Sequence, residues 1–371
     1  MKKRILIGTV NLEIGGIERT LIGLLKNIDY TKYDVDLLLL KTDGELVSEV
    51  PSNVNIITPY KSNMIKRIAN TSNTFLKIIK HLLFNYFTAK LWIKNIKYDA
   101  AISYSGYYPF IDSYIMNSNS DKKLIWVHTN LNYFYKNNKF YNLRFKITKN
   151  KYNKFDNIVC VSDSVKKEFI NLMPNTKDKV KVLWNIININ KNNSDYPKLD
   201  GEKIIVSVGR LCIEKRFDKL IFVHKKLITD GINVKTYLVG YGEELNNLKE
   251  LVKKFKVSDS FIFLGKQLNV ENIIKQADLF VLTSDYEGLP TVLFETLEAN
   301  VPFVGTKVSG VKDIVSSIAP KNSALIVNNN ITDIYEGVKD ALNGKINKNF
   351  SFKIEDYNNN CLNKFYELLK K

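Results

Sequence analysis

The chain is poor in the residues that build metal centres and disulfide frameworks. Its 371 residues include three cysteines and three histidines. Cys160, Cys212 and Cys361 are far apart and odd in number, so they offer neither a metal-ligand spacing nor a disulfide framework. This argues against structural zinc and suits a reducing compartment. No apolar run approaches the ~20 residues that span a bilayer. The opening Met1-Lys2-Lys3-Arg4, followed by the apolar stretch 5–10, mimics a signal peptide. That stretch is too short, and Asn11 and Glu13 follow at once, so a first buried strand is the better reading. No Gly-x-Gly-x-x-Gly fingerprint follows it, which argues against nicotinamide enzymes. No Ser/His/Asp set can be argued from spacing, and no short-period repeat is present.

The chain does have enough length and apolar content for two domains with real cores, being 45% hydrophobic. It also has an excess of positive charge, +17 overall. Residues 1–185 hold 29 Lys/Arg against 15 Asp/Glu, and the remainder holds 26 against 23. The abundance of Lys, Asn and Ile throughout fits nucleotide bias, which explains many lysines but not their concentration in one half. A basic front half suggests an anionic partner: membrane lipid, lipid diphosphate or nucleic acid. Residues 61–97 carry eight Lys/Arg and no acid, interleaved with Phe75, Ile79, Leu82, Leu83 and Trp92. Phe75, Ile79, Leu82 and Leu83 follow helical spacing with Lys77 and Lys80 between them. Such a segment can lie on an anionic membrane surface, although its apolar face also suits a core.

Strand-like and helix-like segments alternate in both halves, which predicts two parallel α/β domains. Strands are expected at 4–10, 35–40, 100–104, 123–127 and 157–161, then at 203–208, 235–239, 260–264, 279–282 and 303–305. A helix is expected at 16–26, and the Asn/Lys-rich stretch 185–203 with Pro197 reads as a linker. The tail from 354 to 371 reads as a helix.

Polar residues cluster at the strand ends. Asp285-Tyr286-Glu287-Gly288-Leu289-Pro290-Thr291 follows the strand 279–282, and the helix predicted at 291–299 carries Glu295. Pro290 suits a first helical turn, Gly288 lets a backbone approach a ligand, and a helix start offers N–H groups to an anion. A loop carboxylate, an anion-binding end and a helical carboxylate suit a sugar nucleotide. Arg210 and Lys215 follow Gly209 at the end of the strand 203–208. A planar fork and a point charge five residues apart make a diphosphate clamp. Gly15 and Gly16 open the first helix and permit close approach to phosphate or sugar. Gly240-Tyr241-Gly242-Glu243-Glu244 and Leu264-Gly265-Lys266 end two further strands. His128 closes the strand 123–127; a lone histidine in that place is either structural or a ligand contact.

These motifs resemble the E-x7-E signature, the G-R-x-x-x-x-K element, the Gly-Gly loop and the G-x-G-x-E turn of family 4 glycosyltransferases. Those are retaining nucleotide-sugar enzymes of GT-B fold. The resemblance is thin across residues 60–120, has Asn300 where relatives usually have Gly, and has Asp313 where they usually have Glu. It implies two Rossmann-like domains facing across a cleft, with the C-terminal helix crossing back to the first. The divisions expected are 1–185 for acceptor and membrane, 186–350 for the nucleotide sugar, and 351–371 for the returning helix. It implies catalytic roles for Glu287, His128, Arg210 and Lys215. Donor binding is implied for Gly15, Gly16, Arg210, Lys215, Gly240, Lys266, Leu268, Gly288, Leu289, Pro290, Thr291 and Glu295. Glu287 would face the sugar, Glu295 the ribose hydroxyls, and 266–268 the base.

Asp34-Val35-Asp36 matches the D-x-D metal motif of the other large glycosyltransferase fold. Here it begins a strand and reads as a solvent-facing strand start, so no obligatory metal and no cofactor are expected. The reading is a retaining transferase that takes a nucleotide sugar, with UDP favoured by family habit. Its partners would be a polyprenyl-diphosphate-linked glycan and an anionic membrane, on the cytoplasmic face of a bacterial plasma membrane, in surface-polysaccharide assembly. No nucleic acid is expected. The rival readings are a nucleic-acid-binding protein and a GT-B sugar-nucleotide epimerase.

Overall fold

The computed structural model describes residues 2–58, 96–106, 108–129, 131, 145–146, 148–188, 196–267 and 270–370. The basic segment 61–97 lies outside the described residues apart from its last two, as does Leu268. The chain divides into two compact units, Met1–Asn188 with Tyr357–Lys371, and Ile189–Asp356. These divisions fall close to, but not at, 185 and 350.

The first unit holds a seven-stranded sheet in the order β3-β2-β1-β4-β5-β6-β7. Its strands are β1 (Lys3–Thr9), β2 (Tyr33–Leu39), β3 (Val54–Ile57), β4 (Lys97–Ser103), β5 (Asn119–Val127), β6 (Asn157–Cys160) and β7 (Val180–Val182). Every pairing is parallel. Parallel strands need a crossover for each connection, which is why apolar runs alternate with helices such as Gly16–Asn27 and Pro109–Asn117. The end of the chain belongs to this unit. Asn358 brackets Ile187 with two hydrogen bonds, Tyr366 stacks on Tyr33, and its hydroxyl accepts from the Asp29 N–H.

The second unit holds a six-stranded parallel sheet in the order β10-β9-β8-β11-β12-β13. Its strands are β8 (Ile204–Val208), β9 (Lys235–Val239), β10 (Phe261–Gly265), β11 (Leu279–Leu282), β12 (Phe303–Thr306) and β13 (Ala324–Val327). Leu238, Leu279, Val281 and Val304 of the sheet share one core with Leu220, Ile221 and Val338 of the covering helices. Each sheet starts in its middle and reverses direction once, between β1 and β4 in the first unit and between β8 and β11 in the second. Ligands of open α/β sheets bind outside the carboxyl ends of the strands at that reversal.

The D-x-D stretch requires a correction. Asp34 is exposed and meets Lys2 at 3.3 Å, as a strand start would. Asp36 is not solvent-facing but 3% exposed. It lies inside β2, and its neighbours supply partners: Arg4 Nε at 3.0 Å, Asn55 Nδ2 at 2.8 Å and the Tyr98 hydroxyl at 2.8 Å. A carboxylate that strand neighbours satisfy this fully can be buried.

Candidate active site

In the second unit the loops that follow β8 and β11 flank the sheet reversal. Lys215 reaches across it, with Nζ 2.6 Å from Glu287 Oε1. The Ser284 hydroxyl donates to the same oxygen at 2.6 Å. Glu287 is 8% exposed, so a compact ion pair lies at the sheet edge with little water around it. Arg210 is exposed at the head of the loop after β8. The structure thus brings Lys215 and Glu287 into contact and places Arg210 on the loop that carries Lys215.

The glycines explain how these loops come so close. Gly240 and Gly242 have φ of 148° and 158°, backbone that a side chain disfavours. A Cβ on Gly240 would stand 1.9 Å from the Gly209 carbonyl oxygen, and one on Gly242 would stand 2.3 Å from that of Leu211. The turn after β9 therefore interlocks with the loop carrying Arg210. Leu211 N–H donates to Tyr241 O at 2.8 Å, and Glu244 N–H donates to Leu211 O at 3.0 Å. Lys266 lies next in the sheet order, its ammonium 5.0 Å from the centroid of the Tyr241 ring.

Downstream, Gly310 N–H donates to Glu287 O at 3.2 Å, which sets Gly288 against the start of the helix Ser309–Ser317. Leu289 and Pro290 are buried and Thr291 is half-buried. Thr291 precedes the helix Val292–Glu298, with Glu295 in its first turn at 9% exposure. Asn300 ends that helix in the left-handed region, φ 55°, so the stop holds without glycine.

In the first unit, His128 follows β5 and is 7% exposed. Its Nε2 lies 2.9 Å from the Tyr104 carbonyl oxygen. A carbonyl can only accept, so Nε2 carries the proton and Nδ1 is an acceptor. Nδ1 is buried with no partner among the described residues. Burial pushes the imidazole down to about 4, against the raising effect of the Tyr104 bond, so the ring is neutral near pH 7. Gly15 and Gly16 sit at the head of the helix Gly16–Asn27, where the Glu18 carboxylate folds back over Gly15. Desolvation raises the Glu18 carboxyl, its own backbone N–H works the other way, and nearby Glu13 adds to the rise.

Several supporting residues carried no sequence signal. Lys151 bonds Asp112 and donates to Gly106 O at 3.1 Å, and Ser103 donates to Asp112 at 2.6 Å. This buried set underpins the turn that presents the Tyr104 carbonyl. Arg216, Lys219, Asp285 and Asn329 form a second network beside Glu287. Burial alone would raise the Asp285 carboxyl, but hydrogen bonds from Lys219, Arg216 and Asn329 hold it below the usual range. A run of basic residues looks like surface charge until its acidic partners are placed in space.

The family described as Glycosyltransferase Family 4 matches residues 14–191, and Glycosyl transferases group 1 matches residues 188–357. The chain is 29% identical over 168 residues to N-acetyl-alpha-D-glucosaminyl L-malate synthase of Bacillus anthracis, covering 43% of this chain and 44% of that protein. The chain therefore matches less than half the length of that relative. It is 27% identical over 337 residues to an uncharacterized glycosyltransferase of Haemophilus influenzae, covering 89% and 87%. Among solved structures, a point mutant of S. aureus TarM in complex with fondaparinux, alpha-GlcNAc-glycerol and UDP has a TM-score of 0.74 at 14% identity. All of both chains is covered, which establishes the fold. The two family matches together run from residue 14 to residue 357, and the chain belongs to the GT-B glycosyltransferases of the family 4 type.

Proposed function

We propose that this protein moves a sugar from a nucleoside diphosphate, UDP in the first instance, to an acceptor hydroxyl with retention of configuration. The observation that carries the proposal is the Lys215–Glu287 pair, 2.6 Å apart at the reversal of a parallel sheet. A cation and a carboxylate in contact there match the two ends of a sugar diphosphate. Lys215 and Arg210 offset charge on the departing diphosphate. Glu287 orients the sugar hydroxyls, and Glu295 accepts from the ribose diol. His128, fixed as the Nε2–H tautomer, offers Nδ1 to a sugar hydroxyl. Gly15, Gly16, Gly240 and the stretch 288–291 let backbone approach the donor, with Lys266 beside the base. Leu268, the remaining base contact expected from sequence, lies outside the described residues. Catalysis on this reading is electrostatic and positional, and the donor site needs no metal.

The first unit then takes the acceptor. A lipid-linked glycan at an anionic membrane suits the basic first half, and this part of the proposal rests on sequence alone. The UDP bound to the S. aureus neighbour supports the choice of nucleotide. The test is turnover and thermal stabilisation with UDP-glucose, UDP-galactose and UDP-N-acetylglucosamine, with membrane extract as acceptor and excess EDTA present. One donor should release UDP faster when extract is added, which separates transfer from epimerisation. Arg210→Ala and Lys215→Ala should each lower kcat/KM by about 10²-fold or more. Near-wild-type activity in both variants, or loss in EDTA with rescue by Mn²⁺, would overturn the assignment.

A further inference from the structure

Asp285 stands two positions before Glu287 and ties together the two loops that make the site. Its N–H donates to Glu214 O at 2.8 Å, and the hydroxyl of Thr283 donates to Lys215 O at 2.9 Å. Its side chain takes three donors. Arg216 Nη1 meets Oδ2 at 3.0 Å, while Lys219 Nζ and Asn329 Nδ2 meet Oδ1 at 2.8 and 2.9 Å. Lys219 also donates to Asn329 Oδ1 at 2.6 Å, closing the network onto the turn after β13.

Arg216 itself is in an unusual state. Its φ and ψ are 51° and 42°, the left-handed region that a residue with a Cβ disfavours. Such a conformation persists where the surroundings over-determine it. Here Asp218 grips the guanidinium with bonds of 2.9 and 2.8 Å, and Asp285 takes the remaining arm. The stretch 210–219 presents four cations: Arg210, Lys215, Arg216 and Lys219. Asp285 engages the last two, while Glu287 engages Lys215. With Asp285 uncharged, Arg216 and the mostly buried Lys219 lose a counter-ion, and Glu287 is the next carboxylate along the loop.

We propose that Asp285 is a positioning residue whose charge, divided between Arg216 and Lys219, holds the loop 283–291 in the register that lets Lys215 and Glu287 meet. The inference rests on the transferase reading above. It assigns Asp285 no contact with substrate, only control of the pair that has one.

The test is a double-mutant cycle. Wild type, Asp285→Asn, Glu287→Gln and the double variant are compared for UDP release from whichever of the three UDP-sugars the wild type turns over. UDP affinity is measured by calorimetry and folding by Tm. Asp285→Asn should lower kcat by about tenfold or more, with the UDP Kd within about threefold of wild type. In the Glu287→Gln background the same change should cost less than about twofold, because it acts through Glu287. If Asp285→Asn does not fold, Asn329→Ala supplies the cycle, since it removes bonds to Asp285 and Lys219 but no charge. Its kcat loss of about threefold should likewise vanish beside Glu287→Gln. Losses that simply multiply in the double variant, an unchanged kcat, or a fall confined to Tm would overturn the inference. No turnover by the wild type on any donor is a different result, which removes the transferase reading and this inference with it.

Discussion

Glu287 Oε1 takes two donors, Lys215 Nζ and Ser284 Oγ, each at 2.6 Å, and Oε2 takes neither. On the proposed function, Lys215 turns to the arriving diphosphate while Ser284 keeps the carboxylate oriented. Glu295 sits instead in the first turn of the next helix. The two carboxylates should therefore fail differently. Glu287→Gln keeps size but removes charge where charge develops, so kcat should fall by about 10²-fold with donor KM nearly unchanged. Glu295→Gln weakens acceptance from a diol, so donor KM should rise by about tenfold with kcat nearly kept. Steady-state kinetics on both variants decide it, and reversed signatures would exchange the roles. The loop position of Glu287 was legible from the apolar run before it and the Gly-Leu-Pro after it, but its contact with Lys215 was not. Ser284 was not legible, since nothing in a serine after a strand says where its hydroxyl points. Asp36 was misread for a related reason: its burial depends on Arg4, Asn55 and Tyr98, partners that adjoin it only once the sheet has formed.

At the scale of elements, apolar runs revealed the central strands of both sheets. The strands left unassigned, β3, β7 and β13, are each outermost. β3 (VNII) and β7 (VKV) are short and interrupted by a polar residue, so they form no apolar run, whereas β13 (ALIV) is a run of only four residues and was passed over. β5 begins earlier than its apolar core, since Asn119 to Lys123 are polar or charged and exposed or half-buried, and so give no apolar run. The helix Phe217–Thr229 shows what such patterns omit. His224 on its buried face bonds Thr236 Oγ1 and Ser260 Oγ, each at 2.8 Å, pinning the helix to the starts of β9 and β10. Burial pushes its imidazole from 6.5 down to about 4. The folded unit thus holds His224 neutral, whereas the unfolded chain takes a proton below about pH 6.5. This contribution is fully present above pH 6.5 and is lost as pH falls toward 4. It amounts to about 3 kcal/mol across that window, from roughly 1.4 kcal/mol per pH unit. Urea unfolding of wild type and His224→Gln at pH 7.5, 6 and 5 should show the variant losing less stability between the first and last values. Equal slopes would mean that His224 is not held neutral.

Across the whole molecule the charge is lopsided, with 29 Lys/Arg against 15 Asp/Glu before residue 186 and near balance after it. A fold that closes both sheets over apolar cores does not require this asymmetry. The densest part, 61–97, carries eight Lys/Arg and no acid among aromatic and aliphatic residues. Among the described residues no helix is long and apolar enough to cross a membrane. A lysine or arginine at an anionic surface contributes about 1 kcal/mol, and the apolar residues between add burial in the interface. Three or four engaged together are enough for binding that salt screens. Liposome co-sedimentation should therefore show binding to anionic vesicles at low salt, weakened at high salt, and little binding to neutral ones. Changing Lys66, Arg67, Lys77 and Lys80 to Glu should abolish it while leaving the Tm within a few degrees of wild type. The same variant should retain turnover of a soluble acceptor and lose it on membrane extract, because none of the four changed residues is among those proposed to hold the donor. Equal binding to neutral and anionic vesicles, or no effect of the charge reversal, would detach the membrane from the proposal and leave the transferase reading standing on Lys215 and Glu287.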